Sequence, residues 1–326
     1  MRIFQNANFP IMQVRRRAYI ITAVLFVASF GAMLLNTQQI GSWLNYGVDF
    51  RGGTLVHLKF NQPVEIDQIR AAARAAGHTG WEISQFGGSD EVVIRKEFAA
   101  DVGRTAAQDV QQTLASKFPA NSYQVARTES VGPKVGDELQ YRALIAILAS
   151  FLVTLAYLAM RFEWRFGVAA IAATAHDIVI TLGLLAIMRS EVSLGTVAAF
   201  LTIVGYSLND TIVVFDRIRE NLAKPRHGAS FTEVLNRSIN ETLPRTVLTG
   251  GSTMGTLLAL IIFGGPVIRS FAVVLVLGIF IGTFSSIFVA SPLLNAIAAR
   301  WPHKAPTREQ AARSASRSRE AARVRV

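Results

Sequence analysis

The sequence predicts a membrane protein with six transmembrane α-helices and an inserted α+β domain outside the cytoplasm. Hydrophobic residues make up 51% of the 326 positions, charged residues only 17%, and mean hydropathy is positive. That composition is typical of membrane proteins. Six apolar segments are long enough to cross a bilayer core of about 30 Å. A long polar segment separates the first of them from the other five.

The composition also excludes several kinds of chemistry. The chain has no Cys, so disulfides, thiol nucleophiles and Cys-ligated metals are excluded. Its five His residues are scattered and lack the H-E-x-x-H spacing of a zinc site. The GGSTMG run at 250–255 has the glycines of a phosphate-binding loop but not the lysine. We therefore expect no metal, no other cofactor and no nucleotide-driven activity.

Charge sets the expected orientation of the spans. The spans are residues 18–36, 140–160, 166–188, 194–215, 246–263 and 270–298. Four segments with 4, 2, 6 and 8 Lys and Arg are assigned to the cytoplasm: 1–17, 161–165, 216–245 and 299–326. Two short loops on the other side, 189–193 and 264–269, carry one Arg each. Because Lys and Arg accumulate on the cytoplasmic side, both termini are predicted there.

The same distribution accounts for the net charge of +11, so we expect no specific nucleic-acid partner. The first span follows three arginines but is long for a signal sequence and has no A-x-A site, which favours an uncleaved span. The loop 216–245 has apolar residues at helical spacing, and either an interfacial helix or a short packed helix fits them. The tail 299–326 fits a solvated basic segment better than one that binds anionic lipid or ribosomal RNA.

The polar segment 37–139 is predicted to be an extracytoplasmic domain, since its ten Lys and Arg nearly balance twelve Asp and Glu. Its pattern predicts strands at 54–60, 81–86, 91–97 and 122–131, with helices at 65–77 and 100–118. The run GGSD at 87–90 is expected to form a hairpin turn. The order βαββαβ indicates a ferredoxin-like fold, which hosts many functions and names none of them.

The sequence VGYSLNDTIVVFD at 204–216 places Asn209 and Asp210 inside an apolar span. Asp210 precedes Asp216 by six residues, so it lies about 9 Å from the cytoplasmic end of the helix. Ionisable residues within spans are costly and usually mark function. Small and polar residues, Gly205 among them, share a face with Asn209, which predicts that this face packs against protein. Asp210 is therefore expected to face protein or water.

Arg245, at the start of the fifth predicted span, is the best candidate counter-ion for Asp210. Burial opposes ionisation of a carboxylate and a nearby Arg favours it, so a carboxylate held between them can exchange protons near neutral pH. The hypothesis is a relay in which protonation of Asp210 breaks the pair with Arg245 and repacks the helices. Two other interpretations stay open: Asn209 and Asp210 as a structural hydrogen-bonding pair, and Arg245 as a topology determinant.

Two further spans contain candidate residues, an aspartate and a pair of glycines. Asp177, beside His176 near the middle of the third span, is a second intramembrane carboxylate with either a relay or a structural role. Gly278 and Gly282 form a G-x-x-x-G motif, which predicts close packing of the last helix.

A second motif, GVDFRGGT at 47–54, follows the first span. Gly52 and Gly53 permit a tight backbone path from the membrane into the first strand, and Asp49 and Arg51 are placed to pair across it. Gly47 begins the motif. We interpret it as a structural hinge between span and domain, useful if the domain must swing.

These two motifs carry a family resemblance. GVDFRGGT resembles the signature that opens the extracytoplasmic domain of the SecD/SecF family, and VGYSLNDTIVVFDRIREN at 204–221 resembles the fourth-span motif of its SecF type. One span, a domain and five further spans match the family layout to about residue 300. The resemblance implies a subunit that uses the proton-motive force to assist preprotein translocation, with Asp210 and Arg245 at the family's functional positions.

The resemblance also implies partners and a location. They are a separate SecD, the SecYEG translocon with its SecA motor, YajC, YidC, preprotein clients and the lipid of the bacterial inner membrane. No enzymatic activity is implied. Two alternatives from other classes stay open: an intramembrane aspartyl protease that uses Asp177 and Asp210, and half of a proton-coupled exporter of small molecules.

Overall fold

Six long helices and one small sheet make up the computed structural model, which describes residues 7–86, 88–96, 105–224 and 230–301. Within these residues, six helices are long and apolar enough to cross a membrane. They are α1 (Ile11–Ile40), α5 (Pro133–Arg161), α6 (Trp164–Met188), α7 (Leu194–Ala223), α8 (Phe231–Phe263) and the last span, which consists of α9 (Pro266–Ser285), a π-helical turn (Ser286–Ala290) and α10 (Ser291–Arg300). Most of the basic tail lies outside the described residues.

Several helices extend beyond the predicted spans. The segment 216–245, predicted to be a loop with an interfacial or a short packed helix, instead contains the end of α7 and the first half of α8. Its apolar residues Val234, Leu235 and Ile239 are buried and point into the bundle, which explains their helical spacing. Pro244 lies inside α8 without ending it. Proline removes one backbone hydrogen bond from a helix, so α8 is weakest just before Arg245.

The first helix begins at Ile11, within the segment predicted to precede the membrane. Two asparagines of α8 hold this start. The Asn240 side chain accepts a hydrogen bond from the Phe9 N–H and donates one to the Phe9 carbonyl, at 2.8 and 2.9 Å. Asn236 accepts one from the Met12 N–H at 2.8 Å. The first N–H groups of a helix lack partners within it, so these side chains explain the early start.

The α/β domain contains β2 (Gly53–Phe60), α3 (Ile66–Ala75), β3 (Glu82–Phe86), β4 (Gly88–Lys96), α4 (Ala106–Leu114) and β5 (Tyr123–Val131). The strand order is β3-β4-β2-β5 and every neighbouring pair is antiparallel. This is the topology of the ferredoxin-like fold that the βαββαβ order predicted. The turn predicted at GGSD is tighter: Gly88 pairs with Phe86 and already belongs to β4. Part of the helix predicted at 100–118 lies outside the described residues.

Two short elements connect this domain to the helices. Between α1 and β2, the two-residue strand β1 (Asn45–Tyr46) precedes the one-turn helix α2 (Val48–Arg51). The strand β1 runs parallel to β6 (Glu191–Val192), which lies between α6 and α7. The domain therefore sits at the end of the bundle where α7 begins, which we call the domain end.

Burial divides the bundle into inner and outer helices. In the most apolar 18-residue stretch of each span, 56% is buried in α6 and in the last span, and 50% in α7. The corresponding figure is 6% for α5 and 17% for α1 and α8. The inner helices touch through small residues such as Ala169, Ala173 and Ala199, all fully buried. Small residues let helix backbones approach closely in membranes, so α6, α7 and α9 form the core that holds the candidate residues.

Candidate functional site

Asp210 lies on α7 and is buried, with 3% of its surface exposed. Its Oδ2 atom has no hydrogen-bond partner among the described residues. One turn earlier, the Tyr206 hydroxyl donates to the Thr253 hydroxyl of α8 at 3.2 Å, which fixes the side of α7 that meets α8. Asp210 borders this contact because residues four apart lie on one side of a helix. A buried carboxylate without a full set of partners is costly, so this position is unusual for a purely structural group.

Arg245 does not form a contact ion pair with Asp210. It lies near the middle of α8, directly after Pro244, rather than at a helix start, and its side chain is exposed. The guanidinium is nevertheless close enough to act electrostatically on the Asp210 carboxylate. The predicted pair is therefore an interaction across the α7–α8 contact and not a hydrogen-bonded bridge.

Asn209 and Gly205 do not face the interior of this chain, contrary to the prediction that their face packs within the bundle. Both are exposed, together with Ala198 and Thr202 on the same side of α7. A Cβ atom added to Gly205 would meet nothing within 4 Å. The pattern identified a face of small and polar residues correctly, but that face is on the outer surface. Asn209 therefore does not share the environment of Asp210.

The exposed residues Ala198, Thr202, Gly205 and Asn209 form a stripe along α7, and a similar exposed stripe lies on α8. Arg245, Ser252 and Thr256 are exposed at helical spacing. Thr202 and Asn209 flank Tyr206 on α7, while Thr249 and Thr256 flank Thr253 on α8. Each stripe thus borders the residue through which the two helices touch. Exposed polar residues within spans are expensive against lipid, so these stripes mark a surface that needs a cover.

Asp177 on α6 is fully buried, but both of its oxygens have partners. Oδ2 accepts hydrogen bonds from the Ser207 hydroxyl of α7 at 2.5 Å and from the Ser285 hydroxyl of α9 at 2.8 Å. Oδ1 lies 2.9 Å from Nδ1 of His176. None of these partners is Asp210, so the two aspartates do not form the shared-proton pair that an aspartyl protease needs. The sequence indicated Asp177 but gave no signal for its two serine partners.

The G-x-x-x-G glycines of α9 pack as predicted. A Cβ atom at Gly278 would collide with Ile203 of α7, and one at Gly282 would lie 3.1 Å from Cβ of Ser207. Gly282 therefore allows α9 to approach the helix turn that contains Ser207. This approach brings Ser285 to Asp177 from the opposite side.

Three buried threonine hydroxyls also lack partners among the described residues. They belong to Thr211 on α7, Thr246 on α8 and Thr283 on α9. The Thr283 hydroxyl lies against Gly250 of α8. Buried hydroxyl groups without protein partners are typical binding sites of internal water. The three inner surfaces near Asp210 are thus more polar than the sequence pattern alone suggested.

The GVDFRGGT motif forms a packed junction at the domain end. Gly52 and Gly53 have positive φ angles of 72° and 115°. A Cβ at Gly52 would approach the backbone of Pro133 to 2.8 Å, and one at Gly53 the Lys96 carbonyl oxygen to 2.8 Å. Both the backbone angle and the close contacts therefore require glycine. The Gln140 side chain donates to the Phe50 carbonyl at 3.0 Å and joins the motif to α5.

Asp49 and Arg51 do not pair across this turn as predicted. Asp49 Oδ2 instead accepts a hydrogen bond from the Leu194 N–H at 2.9 Å, so it binds the first residue of α7. Carboxylates are stabilised at helix N-termini by free N–H groups and the helix dipole. Arg51 lies 3.9 Å from Glu82 on the domain. The N–H of Gly47 donates to the Val192 carbonyl at 2.9 Å. The motif thus connects α7 to the domain.

A cavity of about 460 Å³ lies between the domain and the bundle. Leu55, His57 and Val93 of the sheet line one side, and Leu194 and Phe271 line the other. An ion pair bounds it: the Arg95 guanidinium on β4 donates to the Glu191 carboxylate at 2.5 Å, with 15% and 19% of the side chains exposed. This pair is a direct side-chain link between the domain and the segment before α7.

Among the described residues, no group of three or more His, Cys, Asp or Glu side chains is placed to hold a metal ion. A family model described as "Protein export membrane protein SecD/SecF, C-terminal" matches residues 109–300, and one described as "SecD/SecF GG Motif" matches residues 40–64. The chain belongs to the SecD/SecF family.

Curated relatives within the SecD/SecF family match most of the chain. The protein translocase subunit SecF of Gemmatimonas aurantiaca is 45% identical over 311 residues, which cover 93% of this chain and 91% of that protein. The protein of the same name from Vibrio alginolyticus is 43% identical over 283 residues, or 86% and 88% of the two chains. These relatives are named as translocase subunits and not as enzymes.

Solved structures of the same family have a similar fold. The crystal structure of SecDF, a translocon-associated membrane protein from Thermus thermophilus, superimposes with a TM-score of 0.81 at 38% identity. The match covers 92% of this chain and 40% of that one. A second SecDF structure, in a super-membrane-facing form, gives a TM-score of 0.64 at 36% identity, with 96% and 40% covered. This chain therefore spans about two fifths of the solved SecDF chains.

Proposed function

We propose that this chain is a SecF-like subunit of a SecDF complex that uses the proton-motive force to assist preprotein translocation through SecYEG. The translocase relatives and the SecDF fold support a role in the Sec pathway. The observation that carries the finer proposal is Asp210, a buried carboxylate with an unpartnered oxygen at the contact between two spans. Asp210 is the proton carrier and Arg245 its counter-ion.

The proposed step begins with proton binding at Asp210. Once the carboxylate is neutral, its attraction to the Arg245 guanidinium is lost and the α7–α8 contact rearranges. One charge crossing the membrane releases about 2.3 kcal/mol per 100 mV. That is enough to shift a balanced two-state equilibrium by more than tenfold. Next to Asp210 the two helices are joined by the Tyr206–Thr253 hydrogen bond, while Arg217 and Asn221, further along α7, bind Glu241 of α8. In this proposal the contact opens near Asp210 while the Glu241 contacts hold.

Two side-chain contacts can transmit a movement of α7 to the α/β domain. The first residue of α7 is bound by Asp49 of the GVDFRGGT junction, and the segment before it is bound by Arg95 of the sheet. A shift or rotation of α7 therefore pulls on the domain through two side chains. In this proposal Gly47, Asp49, Arg51, Gly52 and Gly53 form the hinge through which the domain moves.

The exposed polar stripes supply the docking surface for the partner. Asn209 and Gly205 on α7, and Ser252 and Thr256 on α8, are exposed within predicted spans. We assign this surface to SecD, because the solved SecDF chains contain a further three fifths of their length beyond the part matched here. We further propose the partners that the family resemblance implies: SecYEG, YajC, YidC, preproteins and membrane lipid. The location is the bacterial inner membrane with both termini cytoplasmic.

A small-molecule exporter is less well supported. The cavity at the domain end is not lined by Asp210 or Arg245. A second cavity of about 360 Å³, lined by Phe166, Phe231 and Leu294, lies at the opposite end of the bundle and is equally separate from them. An exporter that binds its substrate directly beside the titrating group is therefore not favoured.

The proposal is tested by preprotein export with Asp210→Asn, which keeps the size of the side chain but removes its titration. Export that depends on the proton-motive force should be lost, while membrane insertion and the level of protein stay normal. Asp216→Asn is the matched control on the same helix. Asp216 is a half-exposed partner of Arg161, and exposed ion pairs contribute little. Export that stays normal in Asp210→Asn, with and without the proton-motive force, would refute the relay.

A further inference from the structure

Asp177 has a hydrogen-bonding environment that the proposed relay does not use. Its carboxylate accepts hydrogen bonds from side chains of two other helices, Ser207 on α7 and Ser285 on α9. Because Asp177 itself lies on α6, one fully buried group joins the three inner helices. An ionised carboxylate is an acceptor only. The two hydroxyl groups and the neighbouring imidazole give both carboxylate oxygens a partner.

The surrounding packing holds this arrangement in place. Gly282 lets α9 approach Ser207 closely, because a Cβ atom there would come within 3.1 Å of the serine Cβ. The π-helical turn of the last span begins directly after Ser285. A π-turn changes the angular position of the residues around it and is often found at functional sites. The Thr181 hydroxyl donates to the Asp177 carbonyl at 2.6 Å, so the backbone of Asp177 is bonded as well as its side chain.

Ser207 connects this group to the proton site. It precedes Asp210 by three residues, so the two side chains lie on neighbouring positions of one helix, about 4.5 Å apart along its axis. The hydroxyl of Ser207 fixes the rotation of α7 against α6 and α9. Ser207 and Asp210 belong to one helix and therefore move together. A rotation of α7 at Ser207 thus changes the direction of the Asp210 carboxylate relative to α8.

We propose that Asp177, acting through Ser207 and Ser285, is the positioning residue that sets the orientation of Asp210 toward α8 and Arg245. This inference rests on the proposed function of Asp210 as proton carrier. Asp177 itself does not carry the transported proton. Its hydroxyl and imidazole partners hold its carboxylate in place, while Asp210 exchanges protons one helix turn along α7 from Ser207.

The charged surroundings of the two aspartates differ among the described residues. The titratable groups that act on Asp210 are Arg245 from α8 and Tyr206 from its own helix. Asp177 is bonded to His176 on its own helix, whose ring packs at 5.4 Å from Phe26 of α1. From α7 and α9 it is met by the two serines. Loss of a serine hydroxyl therefore changes the position of Asp210 without adding or removing a charge near it.

The test is the titration of Asp210 in the full chain with its partner subunit in lipid nanodiscs. Aspartate carboxyl carbons are labelled with ¹³C, and the signal is assigned with Asp210→Asn. We expect the titration midpoint of Asp210 to move by about one pH unit in Ser207→Ala and in Ser285→Ala, because loss of the bond to Asp177 lets α7 rotate and changes the interaction of Asp210 with the Arg245 charge. Ser286→Ala is the control, because the hydroxyl of this buried neighbour donates to the Thr283 carbonyl of its own helix turn. The Ser291 hydroxyl donates to the backbone carbonyl of Ser286, which the substitution keeps.

A midpoint that stays the same in both serine variants would overturn the positioning role. If Asp210 does not titrate in the wild-type chain, the proposed proton carrier fails instead. The positioning role is then decided in the full chain without its partner subunit by spin labels at Gly205→Cys on α7 and Ser252→Cys on α8, both exposed positions in this chain. A distance distribution that shifts in Ser207→Ala but not in Ser286→Ala supports the inference, and one that is unchanged in both contradicts it.

Discussion

The two intramembrane aspartates differ in one respect that matters for function. Both are buried, at 0% exposure for Asp177 and 3% for Asp210. Asp177 has partners for both oxygens, whereas Oδ2 of Asp210 has none among the described residues. Burial alone therefore does not identify a working carboxylate. The state of its hydrogen bonds separates a group that holds helices together from one that is free to bind a proton.

The largest expected effect comes from removing Asp177, the carboxylate whose two oxygens both have partners. Asp177→Ala should lower the free energy of unfolding by about 3 kcal/mol, because it leaves the buried Ser207 and Ser285 hydroxyls without their acceptor. Asp210→Ala should lower it by much less, because Oδ2 of Asp210 has no hydrogen-bond partner among the described residues to lose. Unfolding of the purified chain in mixed micelles with increasing denaturing detergent measures both. Equal losses in the two variants would remove the distinction between the aspartates.

A second comparison uses the glycines of the inner and outer faces. Gly278→Ala should destabilise the chain by about 1–3 kcal/mol, because the new methyl group collides with Ile203. Gly205→Ala should leave the isolated chain unchanged, since nothing lies within 4 Å of it. Gly205→Leu should weaken association with the partner subunit in a pull-down from detergent. If Gly205→Leu leaves that association intact, the stripe on α7 is not the docking surface.

The link between domain and bundle should show a smaller effect. Arg95 and Glu191 are mostly buried and bonded to each other, so a double-mutant cycle with Arg95→Ala and Glu191→Ala should give a coupling energy of about 1 kcal/mol. The control cycle is Arg142→Ala with Glu138→Ala, an exposed pair on α5. It should give no more than about 0.5 kcal/mol. A coupling no larger than that of the control would mean that this ion pair does not hold the domain.

The smallest effect concerns a titratable group of the domain, outside the spans. Burial lowers the pKa of His57 below its ordinary value of 6.5, although the Glu91 carboxylate opposes this and Arg127 and Lys59 add to it. Below about pH 6.5 the unfolded chain therefore binds a proton that the folded chain resists. Stability should fall by less than about 1 kcal/mol as pH drops from 6.5 toward 5.

The variant His57→Gln should flatten this pH dependence. Thermal unfolding of the full chain at a series of pH values measures both proteins. A slope that is the same in wild type and in His57→Gln would show that another group is responsible.

Periodic patterns predicted most of the fold. Apolar length located the six spans, and alternation with helical spacing gave the ferredoxin-like order of the domain. The predicted helix ends were wrong where individual side chains, and not the hydropathy pattern, determine where a helix begins or ends. Asn236 and Asn240 hold the start of α1, and Pro244 does not end α8. A local hydropathy pattern contains neither kind of information.

The candidate site was predictable only in part, for a related reason. A polar residue in an apolar span signals that it matters, so Asp210, Asp177 and Arg245 were all identified. The sequence does not tell which helix face is covered by the same chain and which by a partner, so Asn209 and Gly205 were assigned to the inside. The serine partners of Asp177 come from helices about 30 and 108 positions away. Single serines in a span carry no distinctive signal.

The central claim is that Asp210 changes its protonation state during the transport cycle. It is tested most directly by following the Asp210 carboxyl carbon in a ¹³C-labelled sample of the wild-type chain with its partner, across the pH range of the two faces of an energised membrane. We predict a signal that titrates within this range and is absent in Asp210→Asn. An Asp210 signal that stays constant over the whole range would contradict the claim.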